Sequence, residues 1–220
     1  YGATASGTTP SATTAGYGGT LKVYGGTFNI ETTKTTTAYG VYAYATAGYS
    51  QTTTGGTIAQ GNYINAGTIE VSGGEFNVKA KTTGAYGEFV REGTQTNVEA
   101  GEPKTAYGKC KVTGGKFNVS GTSDVGAVNT DATNTNLVVE GGWYNDATNL
   151  NAYTAPTKSC DYHVLPLTGE DPYKFKVAEA YTVTFNTNGH GTAPDAQLIE
   201  KGQTVVEPES PTENGYIFDG

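Results

Sequence analysis

One eight-residue phrase recurs four times in this chain of 220 residues and constrains its fold more than any other feature. The phrase joins a Val, a Gly-Gly pair, an aromatic residue and an Asn. Its three full copies lie at residues 23–30 (VYGGTFNI), 71–78 (VSGGEFNV) and 112–119 (VTGGKFNV), and a shorter, altered copy lies at residues 139–145 (VEGGWYN). A recurrence of this kind is the signature of an architecture in which each repeat is one small unit and the units stack on one another.

Hydrophobic residues alternate on both sides of the Gly pair, which predicts two short strands per copy. The Gly pair marks the corner between them, because Gly adopts positive φ at little cost. Before the pair, the Val and the residue two positions upstream are predicted to face inward; the upstream residues are Leu21, Ile69, Cys110 and Leu137. After the pair, an inward stack is predicted for Phe28, Phe76, Phe117 and Tyr144. An outward hydrogen-bonded ladder is predicted for Asn29, Asn77, Asn118 and Asn145.

A third strand is predicted in the first three copies, in phrases around Gly40, Gly87 and Gly126. One such three-stranded coil cannot bury its inward face, whereas a stack of coils can. The predicted fold class is therefore all-β, with a right-handed parallel β-helix of about four coils, similar to that of pectate lyases. Residues 1–5 match the third-strand phrase, so we expect the chain to begin part-way through a coil.

The copies begin 48, 41 and 27 residues apart, and the two longer repeats carry their extra residues after the third strand. These inserts lie at residues 44–66 and 91–105. Because they leave adjacent coils at the same corner, we expect them to lie side by side on one flank. Within the first insert, residues 57–64 are predicted to form a small hairpin around Gly61 and Asn62.

Aromatic residues make the insert flank the candidate binding surface. Tyr42, Tyr44 and Tyr49 lie in or near the first insert, Tyr63 lies in its predicted hairpin, and Trp143 is expected to face outward in the fourth copy. Exposed aromatic rings beside Asn, Gln and Thr suit stacking on carbohydrate or contact with a peptide. The alternative is that these tyrosines only cover strand surface in an all-β protein.

The repeat pattern ends after Asn145. Residues 161–165 and 173–177 alternate and are joined by a turn-rich segment, which predicts a hairpin that caps the open end of the β-helix. Residues 178–180 are predicted to be a linker. The predicted domains are residues 1–177, the β-helix with its cap, and residues 178–220, a second module.

The second module contains YTVTF at residues 181–185, KGQTVVEP at 201–208 and GYIFDG at 215–220. This pattern resembles the Listeria–Bacteroides repeat, or internalin B-repeat, family. His190 replaces the usual second Gly of that family, and the sequence stops before the closing Trp, which leaves open whether the copy is complete. The resemblance implies a β-grasp-like module of secreted or wall-attached bacterial surface proteins, used as a stalk or adhesive spacer. The upstream phrases are similar to the Gly-Gly-x-Phe-Asn-Val β-helices of large bacterial surface proteins and adhesins.

Composition narrows the classes of partner. The net charge is −8 and no cluster of Lys and Arg is present, so nucleic acid is not expected as a partner. The 16 Tyr and 7 Phe are too many for a disordered chain, which is poor in aromatic residues. No apolar run approaches the roughly 20 residues that span a bilayer, so no membrane insertion is expected in this segment. The chain is expected to be extracellular, on the bacterial cell surface or secreted.

Catalysis must be considered because parallel β-helices host polysaccharide lyases and hydrolases. Glycoside hydrolysis uses two carboxylates about 5–9.5 Å apart. No two of the acidic residues predicted to face outward occupy the same aligned place in adjacent coils; these residues are Glu70, Glu75, Glu88, Asp124 and Glu140. Neither His163 nor His190 has metal-ligating residues at a ligand spacing. No catalytic residue, metal or cofactor is predicted, and a disulfide between Cys110 and Cys160 is left open.

These patterns favour a non-enzymatic segment of a bacterial surface protein, an adhesin or a stalk. Its insert flank would bind a glycan or a host or cell-surface protein. One alternative is a carbohydrate-active β-helix enzyme. Another is a purely structural extracellular unit that associates with itself along a fibre.

Overall fold

The computed structural model describes an all-β chain whose sheets are largely parallel. It covers residues 3–5, 19–33, 37–54, 57–82, 84–94, 105–130, 136–154 and 161–217. In this part the strands are β1 (Ala3–Ala5), β2 (Thr20–Val23), β3 (Thr27–Thr32), β4 (Ala38–Thr54), β5 (Thr57–Ala66), β6 (Thr68–Val71), β7 (Glu75–Ala80), β8 (Ala85–Thr94), β9 (Thr105–Tyr107), β10 (Lys109–Val112), β11 (Lys116–Gly121), β12 (Val125–Thr130), β13 (Leu137–Val139), β14 (Trp143–Tyr144), β15 (Asp161–Pro166), β16 (Phe175–Val183) and β17 (Gln197–Glu200). One 3-10 turn, Leu150–Ala152, follows β14.

Successive repeats contribute one strand to each of three sheets. The first sheet has the parallel order β1-β4-β8-β12, and the second has the parallel order β2-β6-β10-β13. In the third sheet, β3, β7, β11 and β14 are parallel, and β16 then pairs antiparallel with β14. Most of the core therefore lies between three sheets, and each repeat adds one strand to each of them.

The pairing register aligns every copy of the phrase, although the copies are unequally spaced. Val23 pairs with Val71, Val71 with Val112, and Val112 with Val139. The alternation predicted around these residues is confirmed, because Ile69, Cys110 and Leu137 are buried while Lys22 and Lys111 are exposed. Cys110 is a free thiol in this core, and Cys160 lies outside the described residues.

Aromatic rings from the four copies stack through the core. The ring centroids of Phe28 and Phe76 are 4.7 Å apart, those of Phe76 and Phe117 are 5.0 Å apart, and those of Phe117 and Tyr144 are 5.1 Å apart. The last three rings are fully buried, whereas Phe28 at the edge is half-buried. Fully burying one such ring stabilises the fold by roughly 1.5–3 kcal/mol.

A row of Asn side chains follows the aromatic stack on the opposite face of the strand. Asn77 Nδ2 donates to Asn29 Oδ1 at 3.1 Å, and Asn118 Nδ2 donates to Asn77 Oδ1 at 3.2 Å. Asn145 departs from the predicted ladder. Its side chain instead accepts from the Val119 N–H at 2.8 Å and donates to the Val119 carbonyl at 2.7 Å. It satisfies backbone groups of β11 beyond the end of the short strand β14.

The first sheet differs from the predicted alignment by one residue. Ala3 pairs with Val41, as the third-strand phrase at residues 1–5 predicts. In the last copy, however, Gly126 pairs with Tyr86 rather than with Gly87. Aligning the copies on their glycines was therefore wrong at Gly126.

Both inserts are hairpins that prolong strands of the first sheet. Strand β4 runs on from the sheet and pairs antiparallel with β5, while β8 pairs antiparallel with β9 in the same way. Strands β5 and β9 contact each other, so the inserts lie on one flank as predicted. The small hairpin predicted around Gly61 and Asn62 is wrong: both residues lie inside β5, opposite Ser50 and Tyr49 of β4.

An antiparallel hairpin covers the last repeat. Strands β15 and β16 form the predicted cap, and β16 pairs with β14 through Trp143 and Tyr144. Leu165 and Val177 of the hairpin are buried there. The predicted linker at residues 178–180 is wrong, because these residues lie in the middle of β16, which continues to pair with β17. One strand thus joins the cap to the second module.

Candidate functional site

The stacked Gly-Gly corners form the floor of an open trough. The first glycine of the second, third and fourth pairs is required by close approach, since a Cβ on Gly73 would lie 2.3 Å from the Tyr24 carbonyl oxygen and one on Gly114 would lie 2.6 Å from that of Ser72. The second glycine has positive φ in every copy, with φ of 102° at Gly74 and 108° at Gly115. Backbone without side chains therefore lines up from repeat to repeat.

The trough has a volume of about 830 Å³ and runs along all four corners. Besides the glycines, it is bordered by side chains from the second and third sheets; these include Thr27, Glu75, Thr113, Lys116, Glu140 and Trp143. The sequence phrase that builds the scaffold thus also builds a concave surface that crosses four repeats. Trp143 lies at the end of the trough nearest the cap, beside Val177 and Ala178.

Trp143 is held in place by two neighbours. The Lys116 ammonium group lies 5.1 Å from the centre of the Trp143 ring and 5.3 Å from that of Tyr173. The two rings meet edge to face with centroids 6.4 Å apart. Such cation–π contacts are worth about 0.5–2 kcal/mol. The half-buried indole is therefore fixed on the outer face of the third sheet, where the sequence places it.

Tyr173 links the cap to the trough wall. Its hydroxyl lies 3.4 Å from Glu75 Oε1, and the Asn77 side chain donates to the same oxygen, also at 3.4 Å. Burial, together with the nearby Glu75 charge, raises the pKa of Tyr173 to about 12. Tyr173 is therefore neutral at ordinary pH and acts as a hydrogen-bond donor to the carboxylate.

Charges along the trough are balanced. The Glu140 carboxylate forms an ion pair with Lys111 at 2.9 Å, and Glu75 faces Lys116 across one step of the ladder. The described lining thus holds two carboxylates and the ammonium group of Lys116, and the Lys111 ammonium group that pairs with Glu140 lies outside the lining. The trough presents no strong field of either sign.

Glu88 was predicted to face outward, and this prediction is wrong. The side chain is 0% exposed and takes the place of valine in the row formed with Val41 and Val128. The Tyr144 hydroxyl lies 2.9 Å from Glu88 Oε1 and 3.1 Å from the Gly141 carbonyl. The one hydroxyl proton of Tyr144 lies within donating distance of both oxygens.

The surroundings of Glu88 keep it neutral. Burial raises the pKa of Glu88 to about 8, while the hydrogen bond with Tyr144 opposes part of that rise. Its other oxygen, Oε2, has no hydrogen-bond partner among the described residues. Burial also raises the pKa of the Cys110 thiol and of the Tyr144 hydroxyl, and the nearby Glu88 adds to both shifts. This group of side chains is closed to solvent and supports the corner at Gly141 from beneath.

The predicted binding aromatics are not all on one surface. Tyr42 is only 5% exposed and packs against Tyr39, so it offers little area to a ligand. The backbones of Tyr44, Tyr49 and Tyr63 lie in the first hairpin, with Tyr49 and Tyr63 opposite neighbouring residues, but their side chains lie outside the described part. Trp143 belongs to the third sheet, whereas the inserts extend from the first. The trough itself was missed, although the repeated Gly pairs were its signal.

Two other titratable side chains, those of His190 and Asp146, are engaged in local hydrogen bonds. His190 Nδ1 lies 3.1 Å from Glu213, which also accepts from the Gly191 N–H at 2.9 Å. The Asp146 carboxylate accepts from the Thr148 and Ala127 N–H groups at 2.7 and 3.3 Å. Within the described ranges, no three His, Cys, Asp or Glu side chains are grouped to hold a metal ion. No helix in the same ranges is long and apolar enough to cross a membrane.

Comparison with known proteins found a family match at the end of the chain. Residues 181–220 match the family model of the Listeria-Bacteroides repeat domain. This segment is therefore similar to a Listeria–Bacteroides repeat. Repeats of this family are typical of bacterial surface proteins. No curated protein and no solved structure was found to match the chain.

At the start of the segment that matches this family, β17 pairs with the second half of β16, and two ion pairs, Lys176–Glu200 and Lys201–Glu179, join these strands. The Gln197 side chain bonds to both backbone groups of Val206, at 2.7 and 2.9 Å. His190, which replaces a Gly of the family pattern, packs on Tyr216 with ring centroids 4.4 Å apart. The described part of the repeat is therefore joined to the cap by shared strand pairing.

Proposed function

We propose that this chain is a non-enzymatic segment of a bacterial surface or secreted protein, acting as an adhesin or a stalk. The observation that carries the proposal is the match of residues 181–220 to a repeat typical of bacterial surface proteins. In this proposal the three sheets wind as a right-handed parallel β-helix of about four coils. The in-register parallel pairing from repeat to repeat supports that winding.

The binding surface of this proposed adhesin is the flank formed by inserts 44–66 and 91–105. The two hairpins extend from adjacent strands of one sheet and contact each other, which gives a projecting surface beyond the scaffold. Loops and hairpins carried by a rigid scaffold commonly hold binding residues. The proposed ligand is a glycan or a host or cell-surface protein.

The test replaces residues 46–65 by a two-residue Asn-Gly turn, which closes the first hairpin at the sheet. Wild type and variant are compared on a glycan array and on immobilised host-matrix proteins, with circular dichroism as the check of folding. Binding by wild type that is lost in the folded variant is the expected result. Binding that is unchanged would remove the insert flank from the proposal.

A carbohydrate-active enzyme is the second candidate, because Glu75 and Glu140 both border the trough. Both carboxylates are engaged, Glu140 with Lys111 and Glu75 with Tyr173, and this supports the non-enzymatic proposal. Incubation with a panel of polysaccharides, followed by an assay of reducing ends and of unsaturated products, tests it. Product release that depends on Glu75 or Glu140 would favour the enzyme. A purely structural fibre unit would instead show concentration-dependent self-association without ligand binding.

A further inference from the structure

We propose that the trough over the Gly-Gly corners is a binding site for a neutral, extended oligosaccharide, with Trp143 as its aromatic end. This site is separate from the insert flank, because the trough lies along the second and third sheets and the hairpins extend from the first. It therefore holds or fails independently of binding at the inserts.

The shape of the trough fits a linear chain. Its floor crosses four repeats, from Gly26 to Gly142, which is three steps between strands. At about 4.8 Å per step, the floor is roughly 14 Å long. Because the floor is backbone from paired glycines, a ligand can lie on it without displacing side chains. A volume of about 830 Å³ accommodates a short oligomer rather than a single small molecule.

The floor offers polar groups that suit sugar hydroxyls. The N–H groups of Gly73, Gly74, Gly114 and Gly115 make no hydrogen bond to other described backbone groups. The carbonyls of Gly73 and Gly114 likewise accept none within that part of the chain. Two unbonded N–H groups and one unbonded carbonyl thus occur at the corners of both the second and the third copies. A hydroxyl can both donate and accept, so a ligand rich in hydroxyls satisfies both kinds of group.

The walls favour a neutral ligand with an apolar face. Lys116, Glu75 and Glu140 are each matched by a neighbour of opposite charge or a hydrogen-bond partner, so neither an anionic nor a cationic polymer gains from the field. At one end, the Trp143 indole is fixed by Lys116 and Tyr173. A rigid, half-exposed aromatic ring beside hydrogen-bonding groups is suited to the C–H face of a sugar ring.

The experiment uses the fluorescence of Trp143, which is the one Trp in the chain. The whole protein is titrated with neutral oligomers of glucose, mannose and N-acetylglucosamine. A polygalacturonate oligomer serves as the anionic probe and an extended Ser- and Thr-rich peptide as the peptide probe. The expected result is a saturable change in emission with at least one neutral oligomer, with an affinity that does not change when NaCl is added.

Two blocking variants and one matched control locate the binding. Thr113→Arg and Thr27→Arg each add a long side chain to the trough from an exposed position, whereas Ser120→Arg adds the same side chain to an exposed position of β11 away from the trough. Each blocking variant is expected to weaken binding by about tenfold or more, a change of roughly 1.4 kcal/mol, and the control is expected to bind as wild type does. The near-ultraviolet circular dichroism of all three should match that of wild type.

Several results would overturn the proposal. They are the absence of any response to neutral oligomers, a response only to the polygalacturonate or the peptide, and equal binding by Thr113→Arg, Thr27→Arg and wild type. The variant without the first hairpin separates this site from the insert flank. If neutral oligomers still change Trp143 emission in that variant, the trough binds by itself. If the response disappears in the folded hairpin variant, the trough is not an independent site.

Discussion

At the scale of single residues, Glu88 couples the stability of the core to pH. Its pKa is raised by burial to about 8, well above that of a Glu in the unfolded chain. Between these two values the folded state binds more protons than the unfolded state, so stability falls as pH rises. The contribution is fully present below the unfolded pKa and is lost as pH rises through about 8.

Replacing Glu88 by Gln should flatten this dependence. The variant keeps the size of the side chain and has no proton to lose, so we expect it to be more stable than wild type at pH 9, by an amount on the order of a few kcal/mol. Urea unfolding at intervals between pH 5 and 9 measures the difference. Glu70→Gln, which removes a half-exposed carboxylate paired with Lys22 at 2.8 Å, is the control and should follow the slope of wild type. If Glu88→Gln shows that same slope, Glu88 is ionised in the fold.

The burial of Glu88 was within reach of the sequence. The third-strand phrases align Ala38-Tyr39-Gly40-Val41 with Ala85-Tyr86-Gly87-Glu88, and this alignment places Glu88 beside an inward Val. Glu88 was nevertheless predicted to face outward, because acidic residues are rarely fully buried. The partner that tolerates the carboxyl group, the Tyr144 hydroxyl, comes from a residue 56 positions away and could be found only in the structure.

At the scale of elements, two corner glycines, Gly114 and Gly25, allow the same Gly→Ala substitution to be compared at a crowded and at an open position. Gly114→Ala would place its Cβ 2.6 Å from the Ser72 carbonyl oxygen, whereas a Cβ on Gly25 would meet no atom within 4 Å. We expect Gly114→Ala to destabilise the fold by about 1–3 kcal/mol or more and Gly25→Ala to change it by less than about 0.5 kcal/mol. Chemical denaturation of both variants is the measurement. Equal effects would mean that the repeats are not stacked as closely as the structure shows.

The aromatic stack should weaken unequally along its length. Phe76 is buried between two rings, so Phe76→Ala is expected to cost about 3–5 kcal/mol. Phe28 has one stacked neighbour and is half-buried, so Phe28→Ala should cost clearly less. Thermal and urea unfolding of the two variants test this order. A larger loss at Phe28 than at Phe76 would place the centre of the core elsewhere.

The sequence predicts elements well where residues repeat and poorly where they do not. The Val, the Gly-Gly pair and the aromatic residue after it recur in four copies, so an error in aligning one copy would be visible by comparison with the other three. The inserts have no such counterpart, and Gly61-Asn62 was interpreted by itself as a turn although it lies within β5. The single Gly126 likewise misled the alignment by one residue, since only one position defined it.

At the scale of the whole molecule, the cap protects the last repeat. The backbone of the hairpin bonds to it from Lys174 N–H to the Tyr144 carbonyl at 2.9 Å and from Val177 N–H to the Gly142 carbonyl at 3.0 Å. A chain ended after Val183 keeps these bonds and should melt within about 4 °C of wild type. A chain ended after Thr154 loses the burial of Leu165 and Val177, worth roughly 3 kcal/mol or more, and should melt at least about 8 °C lower. Calorimetry measures the melting temperature of both truncated chains. Equal melting temperatures would show that the cap does not stabilise the repeats.

The candidate sites differ in how far sequence can predict them. The insert flank follows from unequal repeat lengths, which are visible in the chain. The trough depends on the close stacking of four corners and on Tyr173 reaching Glu75 from 98 residues away. Pairings over such distances are a property of the assembled sheets, and so Trp143 could be predicted to face outward but not to end a concave surface.

The reversal of strand direction at β16 has a consequence for how such a chain can change in length over generations. Each parallel repeat pairs in the same way with the repeat before it and the repeat after it. If a whole repeat between β2 and β14 were duplicated or deleted, every corner would therefore still lie beside a matching corner. The antiparallel contact of β16 with β14 has no such periodicity. Lineages can therefore be expected to gain or lose whole repeats ahead of β14, and each gain would lengthen the glycine-floored trough by one strand spacing.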